Sequence, residues 1–190
     1  MDIEEIKSKL KQMLSEKRYT HSINVMETSR ALALKYGEKA ENAALAGLIH
    51  DCARGLTEEK TFELCTKNNI AVDSIMKQKP LLLHGEVGAI LATGMFGIDD
   101  SAILEAVRVH TMGKENMDKL SSIVFIADYI EPGRSYPGVE RVREAADISL
   151  ERAIVEGINN TISYTLGKAG LLHPQIITTR NWALERLASS

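Results

Sequence analysis

Six residues of this sequence have side chains that could do chemistry and that their neighbours do not explain. In the stretch LIHDCARG, His50 and Asp51 follow Leu48 and Ile49 inside an apolar run. Burying an imidazole or a carboxylate without a partner is unfavourable. Four further residues have similar apolar surroundings: His21, His84, His110 and Asp128. Imidazole nitrogen and carboxylate oxygen are both metal ligands, so the pattern predicts that all six share one metal site.

Each of these residues also has a structural interpretation that needs no metal. A single histidine on an apolar helix face commonly hydrogen-bonds to a carbonyl oxygen. Asp128 could cap a helix or pair with an arginine, and Asp51 could form an ion pair with Arg54, three residues later. The recurrence of such residues on several helices favours the metal site. His173, which precedes Pro174 at a predicted helix start, is the exception and is predicted to be structural.

The spacing excludes two common metal motifs. Helical bundles that bind two irons use Glu-x-x-His, and many zinc enzymes use HExxH. Neither motif occurs here, because the residues three positions before the histidines are Arg18, Gly47, Leu81, Val107 and Gly170. What remains, in chain order, is the series His, His-Asp, His, His, Asp.

Apolar residues recur every three or four positions, which predicts an all-α protein. Helices are expected over about 2–16, 18–36, 41–53, 57–68, 81–95, 100–110, 118–130, 139–168 and from 174 onward, with a short helical turn over 73–77. The long helix over 139–168 is predicted to kink near Gly157. No linker or repeat divides the chain, so a single domain over 1–190 is predicted. Its metal-binding core would span about 18–139, and its C-terminal helices 139–188. Trp182 and the apolar stripes of these helices would face the core or a second copy of the chain, which leaves a homodimer open.

Composition narrows the classes of function. The formal net charge is −3, and the sequence has no basic stripe interleaved with aromatic residues. A nucleic-acid partner is therefore not predicted. No run approaches the roughly 20 apolar residues of a membrane span, and the N-terminal stretch lacks the apolar core of a signal peptide. Cys52 and Cys65 form no CxxC motif and are expected to be reduced thiols, although the sequence leaves a disulfide open. A cytoplasmic protein without a membrane partner is the expectation.

The order of the six residues resembles a known family. The H…HD…D signature of the HD-domain phosphohydrolases is similar to His21, His50, Asp51 and Asp128. The extra His84 and His110 match the members that hold two metals. More narrowly, LIHDCARG, LLHGEVGA, VRVHTMGK and FIADYIEPGRSYPGV resemble the YqeK-type family, the symmetrical bis(5′-nucleosyl)-tetraphosphatases of bacteria. The match covers roughly residues 20–139 and implies an all-α, single HD-domain helical bundle.

The resemblance also implies a division of the ligands between two metal ions. One ion would be held by His21, His50, Asp51 and Asp128, and the other by His84, His110 and the second oxygen of Asp51. Iron is the metal that the family implies, whereas the ligands would also accept manganese, cobalt or zinc. Such a pair of ions activates a water molecule and polarises a phosphoryl group. The implied reaction cleaves diadenosine tetraphosphate symmetrically into two ADP.

A tetraphosphate is strongly anionic and this chain is mildly acidic, so local side chains must orient such a substrate. Arg54 lies one turn after Asp51 and is predicted to contact a bound phosphate, which makes both residues the catalytic candidates. Lys114, Glu131 and Arg134 are predicted to bind substrate as well. The alternative for Arg54, Lys114 and Arg134 is that they are solvated surface charges. Glu131 could instead orient a ligand or Arg134, or only end its helix. Tyr129 and Tyr136 could stack on a base, although a packing role is preferred.

Two other functions stay open at the level of sequence. An HD-domain phosphohydrolase could instead act on a nucleoside monophosphate, a deoxynucleotide or a cyclic dinucleotide, because similar two-metal sites serve all three. A non-catalytic nucleotide-binding or metal-sensing module would require the site to have lost a ligand. No ligand is missing from the pattern, which argues against that module.

Overall fold

The computed structural model describes residues 1–189, and within them the chain forms eleven α-helices, one short 3₁₀ helix and no β-strand. The all-α prediction is therefore confirmed. The helices are α1 (Ile3–Met13), α2 (Glu16–Tyr36), α3 (Ala40–Ile49), α4 (Glu58–Lys67), α5 (Ser74–Gln78), α6 (His84–Phe96), α7 (Ser101–Val109), α8 (Lys119–Ile130), α9 (Val139–Ile148), α10 (Leu150–Gly167) and α11 (Pro174–Ala188), with the 3₁₀ helix Pro80–Leu83 before α6.

Local chemistry explains most of the helix ends. The Thr57 hydroxyl accepts a hydrogen bond from the Lys60 amide and starts α4, and Asp118 caps α8 in the same way. Gly37 and Gly97 end α2 and α6 in the left-handed region, with φ of 68° and 66°. Glycine adopts that conformation without the steric cost of a Cβ atom. These starts and stops agree with the sequence predictions.

The helix predicted over 139–168 is in fact two helices, and the kink expected near Gly157 is wrong. The break lies at Ser149, whose extended backbone ends α9 and whose hydroxyl caps the start of α10 by accepting from the Arg152 amide. A serine cap competes with continuation of the helix. Gly157 lies inside α10, where a Cβ atom would be 3.1 Å from the Tyr129 ring. Its role is therefore close packing.

Three predicted helices are shorter than expected. The first, predicted over 2–16, ends at Met13, and the other two changes affect the site. The helix predicted over 41–53 ends at Ile49, so that His50 and Asp51 begin a series of turns. The helix predicted over 81–95 begins at His84, because Pro80 opens a 3₁₀ turn before it. As a result, three candidate ligands lie at helix ends, where side chains can converge from different directions.

The helices that carry the candidate ligands pack on one another at the centre of the molecule. α2 contacts α3 and α8, and α7 contacts α3, α6 and α8. Gly47 allows α2 and α3 to approach, since a Cβ atom there would lie 2.6 Å from the Ser29 hydroxyl and 2.9 Å from the Val25 carbonyl. Phe125 and Ile123 of α8 are fully buried in the core around these helices.

The C-terminal helices cover α8 from another side. α10 packs against α8, α9 and α11, and Trp182 of α11 is buried within the same core as the central helices. Trp182 is therefore part of the hydrophobic core. The prediction of a homodimer stays a prediction. None of the helices in the described part of the chain is both long and apolar enough to cross a membrane.

Candidate metal centre

The six predicted ligands converge in one place, although they come from five helical elements. His21 lies in α2, Asp128 in the last turn of α8, and His50 with Asp51 at the end of α3. His84 begins α6 and His110 follows α7. The five residues other than Asp128 are buried. Two sets of these side chains are close enough to hold an ion: His21, His50 and Asp51, and Asp51, His84 and His110.

Three histidines are oriented by the same device. The Nδ1 atoms of His50, His84 and His110 lie 2.7, 2.5 and 2.7 Å from the carbonyl oxygen of the residue three positions before each of them. A carbonyl oxygen only accepts, so each Nδ1 donates and each neutral ring keeps its lone pair on Nε2. The backbone at three helix ends thus presents three Nε2 atoms as ligands.

His21 is oriented by a side chain. Its Nδ1 is 3.1 Å from Oε1 of Glu131, a residue that is only 3% exposed. The other carboxylate oxygen of Glu131 accepts from Asn24 Nδ2 at 2.8 Å and from the Gly133 amide at 2.5 Å. On the other edge of the imidazole, Nε2 lies 2.9 Å from Asp128 Oδ1. A carboxylate behind a histidine is a common way to orient a metal ligand.

The carboxylate of Asp51 lies between the two histidine pairs. Its Oδ1 is 3.1 Å from His84 Nε2 and 3.7 Å from His110 Nε2. Its Oδ2 is 3.8 Å from His21 Nε2 and 3.7 Å from His50 Nε2. Each oxygen therefore faces its own pair of imidazole nitrogens, which is the arrangement of a carboxylate that can serve two cations.

Two features of the centre fit bound metal ions. His50 Nε2 is buried and has no hydrogen-bond partner in residues 1–189. His84 Nε2 and His110 Nε2 face each other at 2.9 Å. With both Nδ1 atoms donating, two lone pairs point at each other, so a cation between them would remove the repulsion. Imidazole and carboxylate are also the donor set that first-row metals accept.

The protonation states suit ligation. Burial lowers the pKa of His50 to about 4 and lowers that of His84, so that both rings are neutral near pH 7. Burial alone would raise the pKa of Asp51 and Asp128, but the nearby histidines lower both. For His21, burial lowers the pKa, but the hydrogen bonds and charge that Asp128 and Glu131 provide together raise it above its ordinary value. The centre thus combines ionised carboxylates with imidazoles.

Three guanidinium groups surround the two aspartates. Arg18 Nη1 donates to Asp51 Oδ2 at 2.9 Å, and Arg54 Nε lies 3.8 Å from Asp51 Oδ1. Arg134 donates through Nη2 to Asp128 Oδ1 and through Nε to the Asp128 carbonyl. Sequence reasoning selected Arg54 and Arg134 but missed Arg18. The signal was present, because Arg18 precedes His21 by one helical turn and so shares its face.

The other selected residues are placed as follows. The Lys114 ammonium pairs with Glu105 at 2.5 Å, and none of its contacts in the described residues reaches the six ligands. Its substrate-binding role stays a prediction. Glu131, also predicted to bind substrate, is placed behind His21. The predicted structural role of His173 agrees with its 2.6 Å contact to Asp73. Cys52 and Cys65 are free thiols.

Two clefts open beside the centre. The larger has a volume of about 920 Å³ and reaches His110 and Asp128. The smaller, of about 740 Å³, reaches Arg18 and His21. Both are lined by Arg134 and Tyr136. A bound molecule can therefore approach the candidate ligands from either cleft.

An all-α fold with this ordered ligand set defines an HD-domain protein, and comparison with known proteins agrees. The HD-domain family model matches residues 18–133. The chain is 35% identical over 182 residues to "Bis(5′-nucleosyl)-tetraphosphatase, symmetrical" of Bacillus subtilis, covering 96% of this chain and 97% of that protein. For the protein of the same name from Halalkalibacterium halodurans, the identity is 38% over 175 residues, covering 92% and 93%.

A solved structure is similar over the same length. It is a crystal structure described as a predicted HD superfamily hydrolase involved in NAD metabolism, from Clostridium acetobutylicum. It superposes with a TM-score of 0.94 and 43% identity, covering 98% of each chain. The chain therefore belongs to the HD-domain family. Its relatedness to proteins named symmetrical tetraphosphatases also confirms the narrower resemblance carried by its motifs.

Proposed function

We propose that this protein is a metal-dependent phosphohydrolase that cleaves diadenosine tetraphosphate symmetrically into two ADP. The observation that carries the proposal is the Asp51 carboxylate, whose two oxygens each face a separate pair of histidine nitrogens. That geometry fits two cations sharing one bridging carboxylate. The names of the relatives support the substrate, since they are symmetrical tetraphosphatases over nearly the whole length of the chain.

In this proposal the ligands divide around Asp51. His21, His50, Asp51 and Asp128 would hold one ion, and His84, His110 and the other Asp51 oxygen would hold the second. Bound there, the ions supply Lewis-acid polarisation of a phosphoryl group and a water of lowered pKa. Iron is the proposed metal, and manganese, cobalt or zinc would suit the same donors.

The arginines supply the charge that an anionic substrate needs. Arg18, Arg54 and Arg134 already lie against the carboxylates of the centre. Their planar donors suit phosphate oxygens, and a guanidinium stays protonated at any physiological pH. We propose that they orient the phosphate chain for in-line attack and stabilise the charge that develops on the leaving ADP. The cytoplasmic location predicted from the sequence fits a nucleotide substrate of this kind.

The reaction products test the proposal. Purified protein is incubated with diadenosine tetraphosphate and ferrous iron under reducing conditions, and the nucleotides are separated by chromatography. ADP as the sole product supports the proposal, and water labelled with oxygen-18 should place one labelled atom in half of the ADP. AMP plus ATP would refute symmetrical cleavage. Parallel incubations with manganese, cobalt and zinc identify the metal that gives the highest turnover.

A substrate panel separates this function from the alternatives. Nucleoside monophosphates, deoxynucleotides and a cyclic dinucleotide are compared with diadenosine tetraphosphate at equal metal content. A higher kcat/KM for one of these would assign the site to that substrate. Tight nucleotide binding without turnover of any compound would indicate the non-catalytic module.

A further inference from the structure

The two clefts beside the metal centre are lined by different exposed side chains. Tyr164, on α10, lines the larger cleft and is 70% exposed, so one face of its ring is free. Arg141, at the start of α9, lines the same cleft and is exposed. Within residues 1–189 the Arg141 guanidinium has no ion pair or hydrogen bond. An open aromatic face and an unpaired guanidinium that line the same cleft offer a stacking surface and a phosphate contact.

The smaller cleft offers charge without an open aromatic face of this kind. Lys17 lines it, is exposed, and has no ion pair in the described part of the chain. Arg18, the next residue, connects this cleft to the Asp51 carboxylate. The two clefts have Arg134 and Tyr136 in common. Each cleft has a volume within the range of about 300–1,000 Å³ that holds a small organic ligand.

We propose that each cleft binds one half of a dinucleoside polyphosphate, the larger through Tyr164 and Arg141 and the smaller through Lys17. The identity of this ligand rests on the proposed function. In the larger cleft a base stacks on Tyr164, and its phosphates reach Arg141 on the way to the metal centre. In the smaller cleft the other half places its phosphates at Lys17 and Arg18. The phosphate chain then crosses the centre beside Arg134.

Stacking and charge explain why the two halves bind with different preferences. A base on an aromatic ring contributes about 1–3 kcal/mol of binding free energy regardless of base identity, so the larger cleft accepts any nucleoside. The smaller cleft binds mainly through phosphate charge, so its affinity falls more steeply with salt.

Equilibrium binding of ADP tests the proposal without turnover. Calorimetry of the metal-loaded protein should give two ADP per chain, of which one weakens more with added salt. Tyr164→Ala should weaken the less salt-sensitive site about tenfold, and Tyr164→Phe should leave it intact because the ring remains. Leu166→Ala is the matched control, since Leu166 is exposed on the same helix and lines neither cleft.

The charged residues are tested in the same way. Arg141→Ala should weaken the less salt-sensitive site about tenfold, and Lys17→Ala should weaken only the other. Arg152→Ala and Lys11→Ala are controls for exposed charges that line neither cleft. A single ADP per chain, or weakening of the same site by Tyr164→Ala and Lys17→Ala, would overturn the inference. Two ADP per chain without hydrolysis of the dinucleotide would refute the proposed function and keep the two binding clefts.

Discussion

Glu131 gives the sharpest prediction, because it is the side chain that orients His21 while the other three candidate histidines are oriented by backbone carbonyls. We expect Glu131→Gln to lower metal affinity although it changes neither size nor shape. The Glu131 carboxylate accepts hydrogen bonds from His21, Asn24 and Gly133. Glutamine has one acceptor oxygen and one amide group that only donates, so at least one of the three hydrogen bonds must be lost.

The preferred orientation of the glutamine follows from counting bonds. Its oxygen would replace Oε2, which accepts from both Asn24 and Gly133, and its amide would then face His21 Nδ1. Nδ1 must then accept, which moves the ring proton to Nε2 and removes the lone pair that faces the centre. Losses from changes behind a metal-binding histidine are about 10- to 100-fold in affinity, or about 1.4–2.8 kcal/mol.

The assay measures metal affinity directly. Chelated wild-type protein and Glu131→Gln are titrated with manganese or iron, and the metal content per chain is determined by elemental analysis after dialysis. Glu63→Gln is the control, because Glu63 is an exposed acid on α4 that pairs with Lys60. Chemical denaturation of the chelated proteins separates lost stability from lost ligation. Equal metal affinity in Glu131→Gln and wild type would show that Glu131 does not orient a ligand.

Three further predictions concern the centre itself. Asp51→Ala should abolish turnover and reduce metal content, since it removes the carboxylate between both histidine pairs; full metal and full activity would contradict the bridging role. Arg54→Ala should retain its metal and lower kcat/KM for the dinucleotide about tenfold or more; unchanged kinetics would assign Arg54 to the surface. Burial lowers the pKa of His50 to about 4, so the unfolded chain takes up a proton near pH 6.5 before the folded chain does. The contribution of His50 to the unfolding free energy of chelated protein, followed by urea titration, should therefore decrease by about 3 kcal/mol from pH 7 to pH 4; a wild-type pH profile no steeper than that of His50→Gln would refute a neutral buried imidazole.

Local chemistry explains what was predictable about the fold. Helical periodicity and the capping residues Thr57, Gly37 and Gly97 act over a few positions, so the class of fold and many helix ends could be recognised from the sequence. The break between α9 and α10 at Ser149 was not predicted, because the sequence suggested one helix with a kink near Gly157. A serine inside an apolar pattern is compatible with both a continuous helix and a cap, and the packing of α9 and α10 against α8 is not visible locally.

The sequence by itself determined the chemistry of the centre, because unexplained imidazoles and carboxylates in apolar surroundings need a partner wherever the chain folds. The tertiary structure alone decided how they are used. Glu131 meets His21 across 110 positions of sequence, and Arg18 meets Asp51 across 33. Helical spacing places Arg18 on the face of His21, but no local pattern encodes these partners across the chain, since they depend on how α2, α3 and α8 pack. For the same reason the two clefts, and the different groups that line them, became visible only once the helices were placed.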